Sequence, residues 1–419
     1  MRVERVVPLA FLVALVAATF DGRPNQAELC TTVGASAFPL VVTGDDVCLR
    51  LTSNVVWHRD YDTPAIEWHG KRGQLQFSGH RLDLTHPCGR GLYIADGGEV
   101  TVFDVAINAV EQTQCIDSHG ILGDYGASLT MYGGEVHNVT TGVFVRAGGA
   151  LEATDVKIVD FGYMGMGCWN TLVCVLERIS AFVPDSFNFQ YGIILGGQNS
   201  RGRALSVYNS MWKGIRINGT GPASVEDVSV EGPFGLLIEV QSQDSVALRD
   251  VRTSATDYYP SHIGVVEAAS MTIDGWTARD GDAGFITDYA ATMRGISVRN
   301  SDLSGMYYGA YMRDSTWNLM LKDNTFSTCC VGVFAEINAH NIIVADTLFE
   351  NNFNAIDILT PEAVASGNLN TGDGGGMCYY PLRRRRGNVP PAAAPHVAVS
   401  SDQPWWLVEH PFTNATVPN

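Results

Sequence analysis

The chain has 419 residues, 46% of them hydrophobic, enough to bury a large core. Its formal charge of -17 excludes the positive surface that phosphate backbones need, and with it nucleic acid as a partner. Forty-four glycines against 17 prolines, set among short alternating apolar runs, indicate many tight turns and a fold dominated by β structure.

The first residues, MRVERVVPLAFLVALVAATF, combine a basic start, an apolar run from Val6 to Ala18 and a small residue at Ala18. Residues 1–18 are expected to be a cleaved signal peptide. The run is shorter than a membrane span and no later segment reaches the ~18 apolar residues required, so no retained span is expected. Sequons at Asn138, Asn218 and Asn414 suit the same extracellular compartment.

Residues 19–64 are expected to cap the structure that follows, because an open terminal coil presents unpaired strand edges. Nine cysteines without a CxxC pair point to disulfides rather than zinc. Cys30 with Cys48 in the cap, and Cys88 with Cys115 just before successive repeat glycines, are the expected pairs. The odd count leaves at least one thiol free or intermolecular.

From residue 65 to 371 one phrase recurs: Gly, an apolar residue, a variable one, an apolar one, then a second alternating strand. It begins at Gly91 and returns at 120, 142, 165, 192, 214, 235, 264, 284, 309 and 332, closing with AIDI at 355, in steps averaging 24 residues. The second strand appears as EVTVFDVAI, SVEDVSVE, SVALRDVRT and NIIVADTLF. A leucine-rich repeat would need its Leu/Asn consensus, and a propeller blade needs about 40 residues. The remaining solution is an all-β, single-stranded parallel β-helix of about twelve coils, followed by an irregular tail over 372–419. Arg383 to Arg386, in that tail, resemble a convertase processing site.

LQFSGHRLDL at 75–84, followed by GLYIADGGEVTVFDVAI, resembles the opening coils of secreted right-handed β-helix proteins of the pectin lyase-like superfamily. The resemblance covers roughly residues 37 to 370. It implies the right-handed fold, but not one activity, since the superfamily spans pectate and alginate lyases, polygalacturonases, epimerases, tailspikes and adhesins. The polygalacturonase motifs are incomplete here: Ser118-His119-Gly120 and Arg216-Ile217-Asn218 occur without the Asn-Thr-Asp stretch or the final Lys. Asp257-Tyr258-Tyr259-Pro260-Ser261-His262 resembles an alginate epimerase motif but lacks the Asp before Pro.

Alternation places positions +1 and +3 after each repeat glycine inside, with Val145, Ile217 and Ile238 in one expected column. Position +4 should point outward and form a charged stripe that includes Asp124, Arg146, Trp169, Asn218, Glu239, Asp288, Arg313 and Glu336. On such a face Arg146 or Arg313 could neutralise a uronate carboxylate, His119 or His262 could take its C5 proton, and Asp288 completes the candidate catalytic set. Trp169, Tyr191, Tyr259 and Tyr308 are candidates to stack on sugar rings. Asp280 and Asp282 flank a turn glycine and make Ca2+ the one cofactor expected.

These features point to a secreted protein that binds an extracellular polysaccharide along its long face, and that would cleave it as a lyase or glycoside hydrolase if catalytic. The rival is a non-catalytic structural or adhesive protein of a cell wall, cyst wall or virion surface. An apolar column at +2, with Phe144, Ile194 and Tyr311 among its members, favours that rival through homo-oligomer formation.

Overall fold

The computed structural model describes residues 30–371, except 60–61, 96, 110–114, 116–117, 184–189, 211, 234, 257–259, 288–294 and 314–315. The expected signal peptide, the tail with Arg383 to Arg386, Tyr259, Asp288 and Asn414 lie outside the described residues.

The protein is an all-β parallel solenoid of about 13 turns, close to the twelve coils expected. Each strand pairs in parallel with the equivalent strand one coil away. Lys213–Ile217, for example, lies between Tyr191–Tyr208 and Leu236–Gln241. Strands read as cap join the same stack, Thr31–Val33 on Val47–Leu51 and Leu40–Val42 on Ile66–Trp68.

Each coil has three faces where the sequence suggested two strands. The long second strand is bent by a residue in left-handed conformation, at Asp104, Gly133, Asp155, Arg178, Ala204, Asp227, Asp250, Gly275, Asn300, Asp323, Asp346 and Gly367. Gly, Asn and Asp dominate that column because other L-residues meet a steric penalty there. In Ala223–Gly232 the bend at Asp227 separates Val225, which faces the core, from Val228 and Val230, which face it from the third side.

The repeat glycine stands at another corner, where coils touch backbone to backbone. A Cβ at Gly91, Gly120 or Gly142 would come within 2.5, 2.6 or 2.3 Å of the next coil's carbonyl oxygen. Successive members are Gly165, Gly192 and Gly214, and then the column changes. The strand registers place Leu237 and His262 in the glycine positions before Gly284 resumes them.

Gly235 and Gly264, taken above as repeat glycines, are therefore out of step by two residues. Ile238 stacks with Ile215 and Ile263, while the column of Val145 runs through Cys168, Leu195, Ile217 and Val240. The expected grouping of Ile238 with Ile217 is corrected accordingly. Both columns are buried throughout.

Cys30–Cys48 and Cys88–Cys115 form as expected. A third bridge, Cys168–Cys174, lies within one strand. Cys330 is also disulfide-bonded. Cys329 is free and buried, and burial pushes its thiol up to about 12. Disulfides fit an oxidising, extracytoplasmic compartment. No helix of the described residues is long and apolar enough to cross a membrane.

Candidate functional site

Strands of the glycine-bearing face turn two side chains outward, the one before the repeat glycine and the one two after it. In most coils these are apolar or small. At Lys213, Arg216 and Glu239 they are charged, and the register stacks Arg216 directly on Glu239. Lys213 Nζ contacts Glu239 Oε1. Arg216 Nε lies 2.9 Å from Glu239 Oε2, and Arg216 Nη2 donates to Gln241 Oε1 at 2.7 Å.

Aromatic rings enclose these charges. Lys213 Nζ lies 5.3 Å from the Trp212 ring centre and 5.8 Å from that of Tyr191. The Arg216 guanidinium lies 5.4 Å from Trp169 and 5.8 Å from Tyr191. Tyr163 packs edge-on against Tyr191 at 5.7 Å. Met164, Tyr191 and Ile194 form a small apolar cluster of their own, with Phe144, Tyr163 and Trp212 against it.

Exposure grades from floor to mouth. The side chains of Glu239 and Lys213 are 5% and 6% exposed, that of Arg216 is 17% exposed, and Trp169 is 38% exposed. Burial lowers the proton affinity of the Lys213 amine, opposed by Glu239. Burial raises the Tyr191 phenol to about 12, against the attraction of Arg216. Trp169 sits beside a register irregularity, in the short segment closed by the Cys168–Cys174 bridge. Ser210 Oγ donates to the carbonyl oxygens of Gln190 and Lys213, or is shared between them, which ties the strand start to the preceding coil.

Of the residues singled out from the sequence, Trp169 and Tyr191 come together here. Tyr191 begins a strand and is buried. Tyr308 belongs to a separate aromatic group with Tyr307, Tyr311 and Phe334. Arg313 lies over the ring of Tyr311, whose hydroxyl donates to Glu336. Arg146 reaches Asp124 at 3.6 Å, as the +4 stripe predicts. Arg146 and Arg313 are seven coil steps, ~34 Å, apart, so they serve different regions of the face.

Of the two candidate histidines, His262 does not fit the base role. His119 is only 6% exposed, between Arg90 and Thr141 in its column. His262 is fully buried in the glycine column, with Nδ1 2.8 Å from Thr253 Oγ1 and Nε2 on the Asp280 carbonyl. A ring enclosed in this way cannot meet a substrate on the outer face. Among the described residues no group of three or more His, Cys, Asp or Glu, Asp280 and Asp282 included, could hold a metal.

The apolar +2 stripe is also corrected. Leu122 and Ile194 are buried, Leu237 is a core residue in the glycine column, and the actual +2 column is interrupted by Arg216, Glu239 and Gly264. Of the sequons, Asn138 has left-handed backbone and its Nδ2 donates to Asn108. Asn218 follows the Arg216 strand, one coil beyond Gly196, which pairs with Trp169.

Residues 197–379 match the protein-family model described as periplasmic copper-binding protein (NosD). That match spans less than half of the chain. The fold of the chain, a parallel β-helix, is consistent with the resemblance to the pectin lyase-like superfamily. Among solved structures, the chain is similar to the catalytic domain of a glycoside hydrolase family 87 α-1,3-glucanase in complex with tetrasaccharides, at 11% identity and a TM-score of 0.43. It covers 77% of this chain and 63% of that one. A thermostable α-1,3-glucanase of the same family from Streptomyces thermodiastaticus matches at 12% identity, TM-score 0.30, over 82% of this chain and 66% of that one. The A-module of a mannuronan C-5 epimerase from Azotobacter vinelandii matches at 11% identity, TM-score 0.21, over 82% and 88%. No curated protein matches the sequence.

Proposed function

We propose that this protein binds a polysaccharide outside the cytosol, on the long face of the solenoid, at the site framed by Trp169, Tyr191 and Arg216. The observation that supports this most directly is the graded arrangement itself: a half-exposed indole at the mouth, a guanidinium held against aromatic rings, and a buried Lys213–Glu239 pair as the floor. Flat aromatic faces take the apolar side of a sugar ring, and hydrogen-bond donors beside them take its oxygens. Packing alone would not place two cations and a carboxylate on the outward positions of a column that is mostly apolar or small.

The test uses Trp169→Ala, because the ring is exposed and its loss leaves the core intact. On a glycan array, retention should fall roughly fivefold or more, the value of one aromatic contact, ~1 kcal/mol. The melting temperature should be unchanged. Equal retention by Trp169→Ala, or no glycan retained by the unaltered protein, refutes the reading.

A further inference from the structure

We infer that the sugar bound at this site carries an acidic group, a carboxylate or a sulfate, which docks on Arg216. The inference rests on the glycan reading and specifies its ligand.

Charge is the first ground. Lys213 is in direct contact with Glu239, and Arg216 adds a second cation to the same carboxylate, so two positive groups share one negative one. The site is left with an excess positive charge, on a chain whose formal charge is -17. Neutralising Glu239 alone would have needed one cation. The second stands nearer the mouth, with its side chain 17% exposed against 6% for Lys213.

Geometry is the second. Arg216 Nε is 2.9 Å from Glu239 Oε2, yet both atoms are buried without a hydrogen bond, so the N–H is not directed at the carboxylate. Its Nη2 is used by Gln241. The buried Nε is thus held by charge and not by a directed hydrogen bond, and an incoming acidic oxygen can pair with the part of the side chain that remains exposed. Trp169 and Tyr191 hold the guanidinium against their rings, which limits its motion and favours the planar, two-point contact that carboxylate and sulfate both accept. A neutral sugar offers no charge to offset the excess.

Two probe pairs separate the two acids: oligogalacturonate with its carboxyl-reduced twin, and a sulfated oligosaccharide with its desulfated twin, each titrated calorimetrically into the full-length protein. At least one acidic probe should bind tenfold or more tighter than its neutral twin, the weight of a hydrogen bond to a charged group. That preference should shrink with added salt. Arg216→Gln should weaken the acidic probe far more than its neutral twin, so that the preference for the acid disappears. The unaltered protein alone decides the main point if that variant fails to fold. Equal binding of acid and neutral twin, or retention of neutral glycans only, overturns the acidic ligand and leaves the glycan reading standing. Failure to retain any glycan overturns both.

Discussion

His262 makes the stability of this solenoid depend on pH in a range where few other side chains titrate. Its ring is completely buried, and desolvation lowers its pKa from 6.5 to about 4. Trp276 Nε1 donates to Thr253 Oγ1, which leaves the threonine hydroxyl proton for His262 Nδ1. Nε2–H then donates to the Asp280 carbonyl. The neutral ring thus fills every position, and a second ring proton would force the threonine hydroxyl to turn away and would bury a charge. In the unfolded chain the same imidazole takes up a proton as pH falls below 6.5, whereas the folded protein resists until about 4. Stability is therefore complete above pH 6.5 and declines as pH falls towards 4, by ~3 kcal/mol for a shift of this size. Carboxylates contribute to acid sensitivity as well, so the measurement compares two proteins. Urea midpoints of wild type and His262→Gln are followed from pH 7.5 to 4, and the difference between them should close by roughly that amount in this window. Parallel curves, or a His262 ring resonance titrating near 6.5, would refute the account.

Two further substitutions probe the core and the site floor. Ile217→Asp places an unpaired carboxylate in the buried column of Val145, Cys168, Leu195 and Val240, at a cost of several kcal/mol, and should abolish soluble yield; a normal yield and melting temperature would show that the register is wrong. Lys213→Met leaves buried Glu239 with Arg216 as its remaining counter-charge and should cost about 3 kcal/mol in chemical denaturation, whereas Lys213→Met with Glu239→Gln should recover most of it; a double variant as unstable as the sum of the two single ones would mean that the pair is not coupled.

The repeat was legible in the sequence because its glycine answers to one steric fact. Adjacent coils approach so closely at that corner that Gly120 and Gly142 admit no side chain. A second period was equally present and went unread. FDV, TDV, EDV and RDV in four of the second strands place aspartate at the left-handed bend, and that column divides two strands into three faces. Alternation alone does not reveal the bend, because the apolar positions on either side of Asp227, namely Val225, Val228 and Val230, all point to the core. The buried Cys168–Cys174 bridge was missed for a related reason: six residues within a single strand do not look like a cross-link until the corner between them is known.

The functional site was hidden by a slip in that same period. Glycines 235 and 264 imitate the repeat phrase, although Gly235 is a left-handed turn residue close to the Trp212 carbonyl and Gly264 faces outward beside Glu239. Counting from them puts Glu239 at +4, on the stripe of Arg146 and Arg313, away from Arg216. Counting from Leu237, which holds the true corner position, puts Glu239 at +2, directly on Arg216 and within reach of Lys213. Lys213, one of four lysines in the chain, and the change of the +2 column from apolar to charged were the available signals. They become a site only when residues 23 to 26 positions apart are brought into register. The coil in which the glycine is lost is also the coil that supplies the carboxylate, so restoring the period there, by inserting two residues between Gly232 and Gly235, should bring Gly235 to the corner now held by Leu237, move Glu239 out of line with Arg216 and remove the charge cluster.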